Sequence, residues 1–140
     1  MQKPTYHAEI DLTIPFHDAD MMKIVWHGHY AKYFEIARCE LLDRIDYNYL
    51  AMRDSGYAWP IIDMRIRYIK PAVFGQTVTV RAALVEWEHR LKIDYLITDA
   101  KTGAKLVKGY TAQVAVNMQS NEMCMESPSI LLEKLGVQIS

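Results

Sequence analysis

Polar and apolar residues alternate over residues 8–14, with Ile10, Leu12 and Ile14 on one side. A period of two predicts a half-buried strand, and Pro15 ends it. From Tyr30 the rhythm changes. Tyr30, Tyr33, Phe34, Ala37, Leu41 and Ile45 recur at helical spacing, with no Gly or Pro before Gly56. This predicts a helix of about four turns starting near His29 or Tyr30, with an apolar stripe wide enough to lie lengthwise on a sheet. After Pro60 the alternation returns. Ile62, Met64, Ile66 and Tyr68 mark one strand, and "KPAVFGQ" breaks it. Val78, Val80, Ala82 and Leu84 mark the next. Leu91, Ile93, Tyr95 and Ile97 follow a tight connection at Glu88–His89. Asp99–Gly103 reads as a hairpin loop with Gly103 left-handed, and a last long strand covers Leu106 to Val116. Ser127 reads as a helix N-cap before Pro128 at the first helical position, and Gly136 as the stop.

The order is strand, long helix, four long strands, short helix. Short turns between the later strands predict an antiparallel sheet. One sheet of about five strands must cover one central helix, an α+β layer arrangement within a single domain over residues 1–140. Such a sheet leaves at least one long edge, and Val107 to Val116 or Val78 to Leu84 have no Pro guarding them, which predicts a homodimer or homotetramer.

Charge and composition narrow the partners. The formal net charge is −1 and no long run of like charge occurs, so nothing marks a nucleic-acid partner. No apolar run is long enough for a membrane span, and "MQKPTYHAEIDL" has no signal-peptide core. Cys39 and Cys124 are far apart and not in a metal-type spacing. Two free thiols in a reducing cytoplasm are the expectation.

"HDADMMKIVWHGHY" (His17 to Tyr30) crowds three histidines and two aspartates into fourteen residues, at the entry to the predicted helix. A helix N-terminus offers unpaired N–H groups and partial positive charge, which favour a developing oxyanion. An acid just upstream could attack the same carbonyl or direct water at it. Asp20, Asp18 and the histidines are candidates, and helix N-terminus plus acid is the minimum set for acyl transfer.

"DADMMKIVWHGHYAKYFEIARCELL" resembles the signature of the hotdog-fold acyl thioesterases, in their 4-hydroxybenzoyl-CoA and tol-pal-associated acyl-CoA branches. Asp20, Ile24, Val25, Trp26, His27 and Tyr30 match it, as do Phe34-Glu35 and Ala37-Arg38. Ile66–Ala82 resembles the family's next two strands and the turn between them, so the likeness runs from about His7 to Asn117. It implies a hotdog fold and a hydrolase that cleaves an acyl thioester of coenzyme A or acyl carrier protein, with no metal and no organic cofactor. It implies Asp20 as the catalytic carboxylate, nucleophile or general base. It implies the amide near His27 as the carbonyl polariser, and the His27 ring as an aid to substrate or leaving group. Two positions depart. Lys23 stands where the pattern has Gly, and Gly28 where a small residue or Pro is common.

Plainer readings stand beside these. Asp18 reads as a turn former bonded to its own backbone. His17 and His29 read as loop histidines, or His29 as a cap. A metal site from His17, Asp20, His27 and His29 matches no standard zinc spacing. Glu35 and Arg38 read as a helix-surface pair or as an ion pair at the edge of the site. Trp26, Tyr30 and Glu35 are placed with the substrate; Trp59, Tyr57 and Phe74 read as core or acyl-pocket aromatics. Lys70, Arg90 and Lys92 could meet carrier phosphates. Two other functions fit the same stretch: a thioester hydratase or dehydratase pairing His27 with Asp20 or Glu35, and a non-catalytic thioester-binding module.

Overall fold

The structure, a computed structural model, describes residues 6–136. The ends of the expected 1–140 domain lie outside the described residues. The chain runs β1 (Tyr6–Thr13), α1 (His29–Arg44), α2 (Tyr49–Asp54), β2 (Tyr57–Ala58) and β3 (Ile61–Tyr68). It continues with β4 (Thr77–Glu86), β5 (Leu91–Asp99), β6 (Lys105–Gln113), β7 (Val116–Asn117) and α3 (Ser129–Leu135). Five strands form one sheet in the order β1-β4-β5-β6-β3, and every neighbour pair is antiparallel. β2 and β7 make a separate two-stranded pair.

The period-two pattern explains which face is covered. Val78, Val80, Ala82 and Leu84 of β4 are buried, as are Leu91, Ile93, Tyr95 and Ile97 of β5. Helix α1 lays Tyr33, Phe34, Ala37, Leu41 and Leu42 into the same core. Phe34 is fully buried and stacks on Tyr95 at 4.4 Å between ring centroids. A ring buried so completely contributes roughly 1.5–3 kcal/mol. Gly109 of β6 makes room for it: a Cβ there would lie 2.1 Å from the Arg65 carbonyl oxygen and 2.9 Å from the Phe34 ring. The result is the expected hotdog arrangement, a sheet wrapped around one long helix.

Three boundaries differ from the pattern. The last strand leaves the sheet after Gln113 instead of running to Val116. Its neighbour β3 starts only after Pro60, which has no N–H to give, and Val116 pairs with Ala58 instead. A short helix α2 follows the long one, capped by Asn48 Oδ1, which accepts from the Ala51 amide at 3.0 Å. Helix α3 begins at Ser129, because Pro128 sits at ψ 149° and is the cap residue itself. Gly136 ends that helix in the left-handed conformation, as expected.

The edges are β1 and β3, while the two stretches expected there, Val78 to Leu84 in β4 and the β6 part of Val107 to Val116, are paired on both sides. Of the eight residues of β3 only Ile66 is even half-buried. Ile61, Ile62, Met64 and Tyr68 all stand exposed there.

Candidate active site

Residues 18–26 fold into a small hairpin before α1. Ala19 bridges to Val25. The Asp20 amide donates to Ile24 O at 2.9 Å, and the Lys23 amide donates to Asp20 O at 2.9 Å. Met21, Met22 and Lys23 form the loop, and its last residue must take the left-handed conformation. Lys23 does so at φ 63°. Lysine thus keeps the tight turn that glycine usually makes, at some cost in backbone strain.

The turn orients Asp20. Its Oδ1 accepts from the Met22 amide at 2.8 Å and the Ile24 amide at 3.3 Å. Its Oδ2 has no hydrogen bond among the described residues and stays available. Across from it, Gly28 is the N-cap of α1, with no side-chain cap. The His29 and Tyr30 amides donate to Trp26 O and His27 O. The His27 and Gly28 amides donate to no described acceptor. A Cβ on Gly28 would lie 2.2 Å from the Trp26 ring, so glycine lets that indole lie over the helix entrance.

A cleft of about 320 Å³ joins these parts. Asp20, Ile24, Val25, Trp26, His27, Tyr30, Lys70 and Pro71 line it, with Tyr68 at the end of β3 and Ile69 just after it. Tyr68 donates its hydroxyl to His27 O at 3.2 Å, tying the edge strand to the helix entrance. Tyr30 is buried, and its hydroxyl accepts from the Ala72 amide at 3.0 Å. Burial pushes the Tyr30 phenol up, so it stays protonated. The rings of Trp26 and His27 lie 5.0 Å apart on the exposed side.

Asp18 is not a turn former in solvent. It is 1% exposed. Lys32 Nζ reaches both its oxygens, at 2.7 and 2.8 Å, and the Tyr33 hydroxyl donates at 2.7 Å. His17 Nε2 and His29 Nδ1 stand 3.6 and 3.7 Å away. Burial pushes this carboxyl up, but the hydrogen bonds from Lys32 and Tyr33 and the charges of Lys32 and His29 outweigh it. The net shift is downward. Tyr33 moves the other way, pushed up by burial and by its bond to Asp18.

The structure brings together Asp20, Trp26, His27, Tyr30 and Lys70, but not Glu35 or Arg90. Glu35 is exposed on α1 away from the cleft. Arg90 pairs with Glu86 at 3.2 Å. The expected Glu35–Arg38 pair does not form. Arg38 is 5% exposed and gives its hydrogen bonds to the Tyr49 and Tyr95 hydroxyls, at 2.7 and 3.2 Å. Its side chain points into the core, while Glu35 points out. Trp59 is core, bonded to the Tyr47 hydroxyl, and Phe74 packs edge-on against Phe16 at the surface. Lys92 sits 4.6 Å above the Tyr110 ring. Sequence reasoning missed Tyr68, whose position reads as one more alternating strand residue. It named Asp18 as a candidate acid and as a turn former, but not its burial, because its partners lie a helix turn beyond the loop.

The family model of the thioesterase-like superfamily matches residues 14–135. The chain belongs to that superfamily. It is 27% identical over 128 residues to a Synechocystis protein named "putative esterase", covering 91% of this chain and 77% of that one. It is 26% identical over 124 residues to a Bacillus subtilis protein named "putative acyl-CoA thioesterase", covering 85% and 80%. Among solved structures, a 1,4-dihydroxy-2-naphthoyl-CoA thioesterase from Synechocystis superposes with a TM-score of 0.82 at 17% identity, covering 93% of this chain and 96% of that one. That structure shares the fold.

Proposed function

We propose that this superfamily member, working as one domain over residues 1–140, hydrolyses an acyl thioester of coenzyme A or acyl carrier protein to a free acid and a thiol. The observation that carries the reading is the cleft, with a free Asp20 oxygen on one wall and the open N-terminus of a 16-residue helix on the other. A carbonyl oxygen over the His27 and Gly28 amides is stabilised as it gains negative charge. Asp20 attacks the carbonyl carbon, or takes a proton from the water that does. In the first route the C–S bond breaks to leave an acyl-Asp20 anhydride, which water cleaves to the free acid and the regenerated carboxylate, the proton released going to the thiolate. In the second the proton that Asp20 takes from water passes to the leaving sulfur. Single-turnover hydrolysis in ¹⁸O-water puts label into Asp20 only if it is the nucleophile.

His27 orients the substrate or steers the leaving thiol, and Trp26 and Tyr30 border the thioester. Lys70, with no described partner for its ammonium, faces the carrier phosphates. Glu35 and Arg90 lie off this cleft within one chain, so a role for them in binding substrate requires the assembled homodimer or homotetramer. The exposed apolar edge of β3 supports that assembly. The motif from Asp20 to Tyr30 supports the 4-hydroxybenzoyl-CoA or tol-pal-associated branch, and the chain acts in the cytoplasm without a cofactor. Against a hydratase, His27 makes no hydrogen bond to a carboxylate among the described residues.

The test is thiol release from short, long and aromatic acyl-CoAs and acyl carrier proteins. Asp20→Asn lowers kcat at least ~100-fold, or about 2.7 kcal/mol of transition-state stabilisation, with the fold intact by circular dichroism. Near-native turnover by that variant sinks the proposal, and tight binding without wild-type turnover makes the protein a binding module.

A further inference from the structure

We infer that Asp18 is a positioning residue: its buried contact with Lys32 and Tyr33 fixes Asp20 relative to the N-terminus of α1. This rests on the reading of Asp20 above. A carboxylate that only shaped a turn would sit in water. Asp18 is instead 1% exposed, and a charge so placed persists only when well paired. Its partners are on the first turns of α1, fourteen and fifteen residues on in sequence. Its backbone is tied as well: the Trp26 amide donates to Asp18 O at 3.1 Å. One residue therefore grips both arms of the hairpin. One arm carries Asp20 two residues later, and the other leads through Trp26 into the His27 and Gly28 amides. Lys32 and Tyr33 bolt that junction to the helix. Without the bolt, the Asp20 turn keeps its own hydrogen bonds but can slide against the helix entrance.

The experiment combines kinetics with hydrogen exchange read by mass spectrometry. Asp18→Asn keeps the shape and can still accept from Tyr33, but loses the ion pair. Its kcat falls about 10- to 100-fold, the loss expected when reacting groups shift by an ångström. KM stays within about threefold. Exchange quickens in residues 17–27 while β4 and β5 stay protected. Lys32→Met repeats the loss, and Lys32→Arg, which keeps the cation, restores kcat to within about threefold of wild type. The inference is overturned if Asp18→Asn keeps kcat within threefold. It is equally overturned if exchange rises through α1 and the sheet together, which marks a purely structural role. Should Asp20→Asn retain full turnover, or the wild type release no thiol, the hydrolase reading fails. The exchange pattern then decides the tether alone: quickening confined to 17–27 supports it, and unchanged exchange there overturns it.

Discussion

Asp18 and Asp20 are two residues apart and meet opposite environments. Asp20 is exposed on its turn with one oxygen free; Asp18 is enclosed by a lysine and a tyrosine. The motif made Asp20 legible. Asp18 stood among the candidate acids, but its burial was not legible, because a buried carboxylate is defined by what folds over it, and Lys32 and Tyr33 look like ordinary helix residues. Arg38 was misread for the same reason: its tyrosine partners come from α2 and β5. Lys23 offers a direct check on backbone strain. Lys23→Gly relieves the left-handed conformation but loosens the unfolded chain, for a net gain of about 0.5–1 kcal/mol in urea denaturation. Acid stability follows from two carboxyls. Asp99 is held at about 2 by hydrogen bonds from Gln76 and from the backbone of Thr102 and Lys101. Asp18 is also held below its ordinary value. A depressed carboxyl stabilises the fold above its unfolded pKa, and the benefit is lost as protons are taken up. The melting temperature is therefore level with respect to these two groups above about pH 4 and falls from there towards pH 2. Asp99→Asn flattens part of that slope.

At the level of elements, periodicity located the long helix and every strand of the main sheet. It could not locate the breaks set by tertiary pairing, such as the departure of the chain from the sheet after Gln113. Gly109 shows the limit most plainly. In sequence it is a glycine inside a strand; in the fold a side chain there would meet both Arg65 of β3 and Phe34 of α1. Gly109→Ala places a methyl group against the Arg65 carbonyl oxygen, a backbone atom that cannot rotate away. The sheet must shift, and the expected loss is about 2–3 kcal/mol in thermal or urea unfolding.

Across the whole molecule, the apolar edge of β3 argues for assembly. Light scattering at micromolar concentration gives at least twice the chain mass of 16.2 kDa. Met64→Lys, placing a charge on that edge, shifts the mass towards the monomer. A clean wild-type monomer with full activity rules the assembly out. Tyr68, at the end of the exposed edge, holds the His27 carbonyl at the entrance of the helix. Whatever steadies the edge also steadies the cleft. Specific activity should therefore depend on enzyme concentration, dropping on dilution below the subunit dissociation constant and recovering on reconcentration. The rate per chain becomes a titration of how often two chains meet.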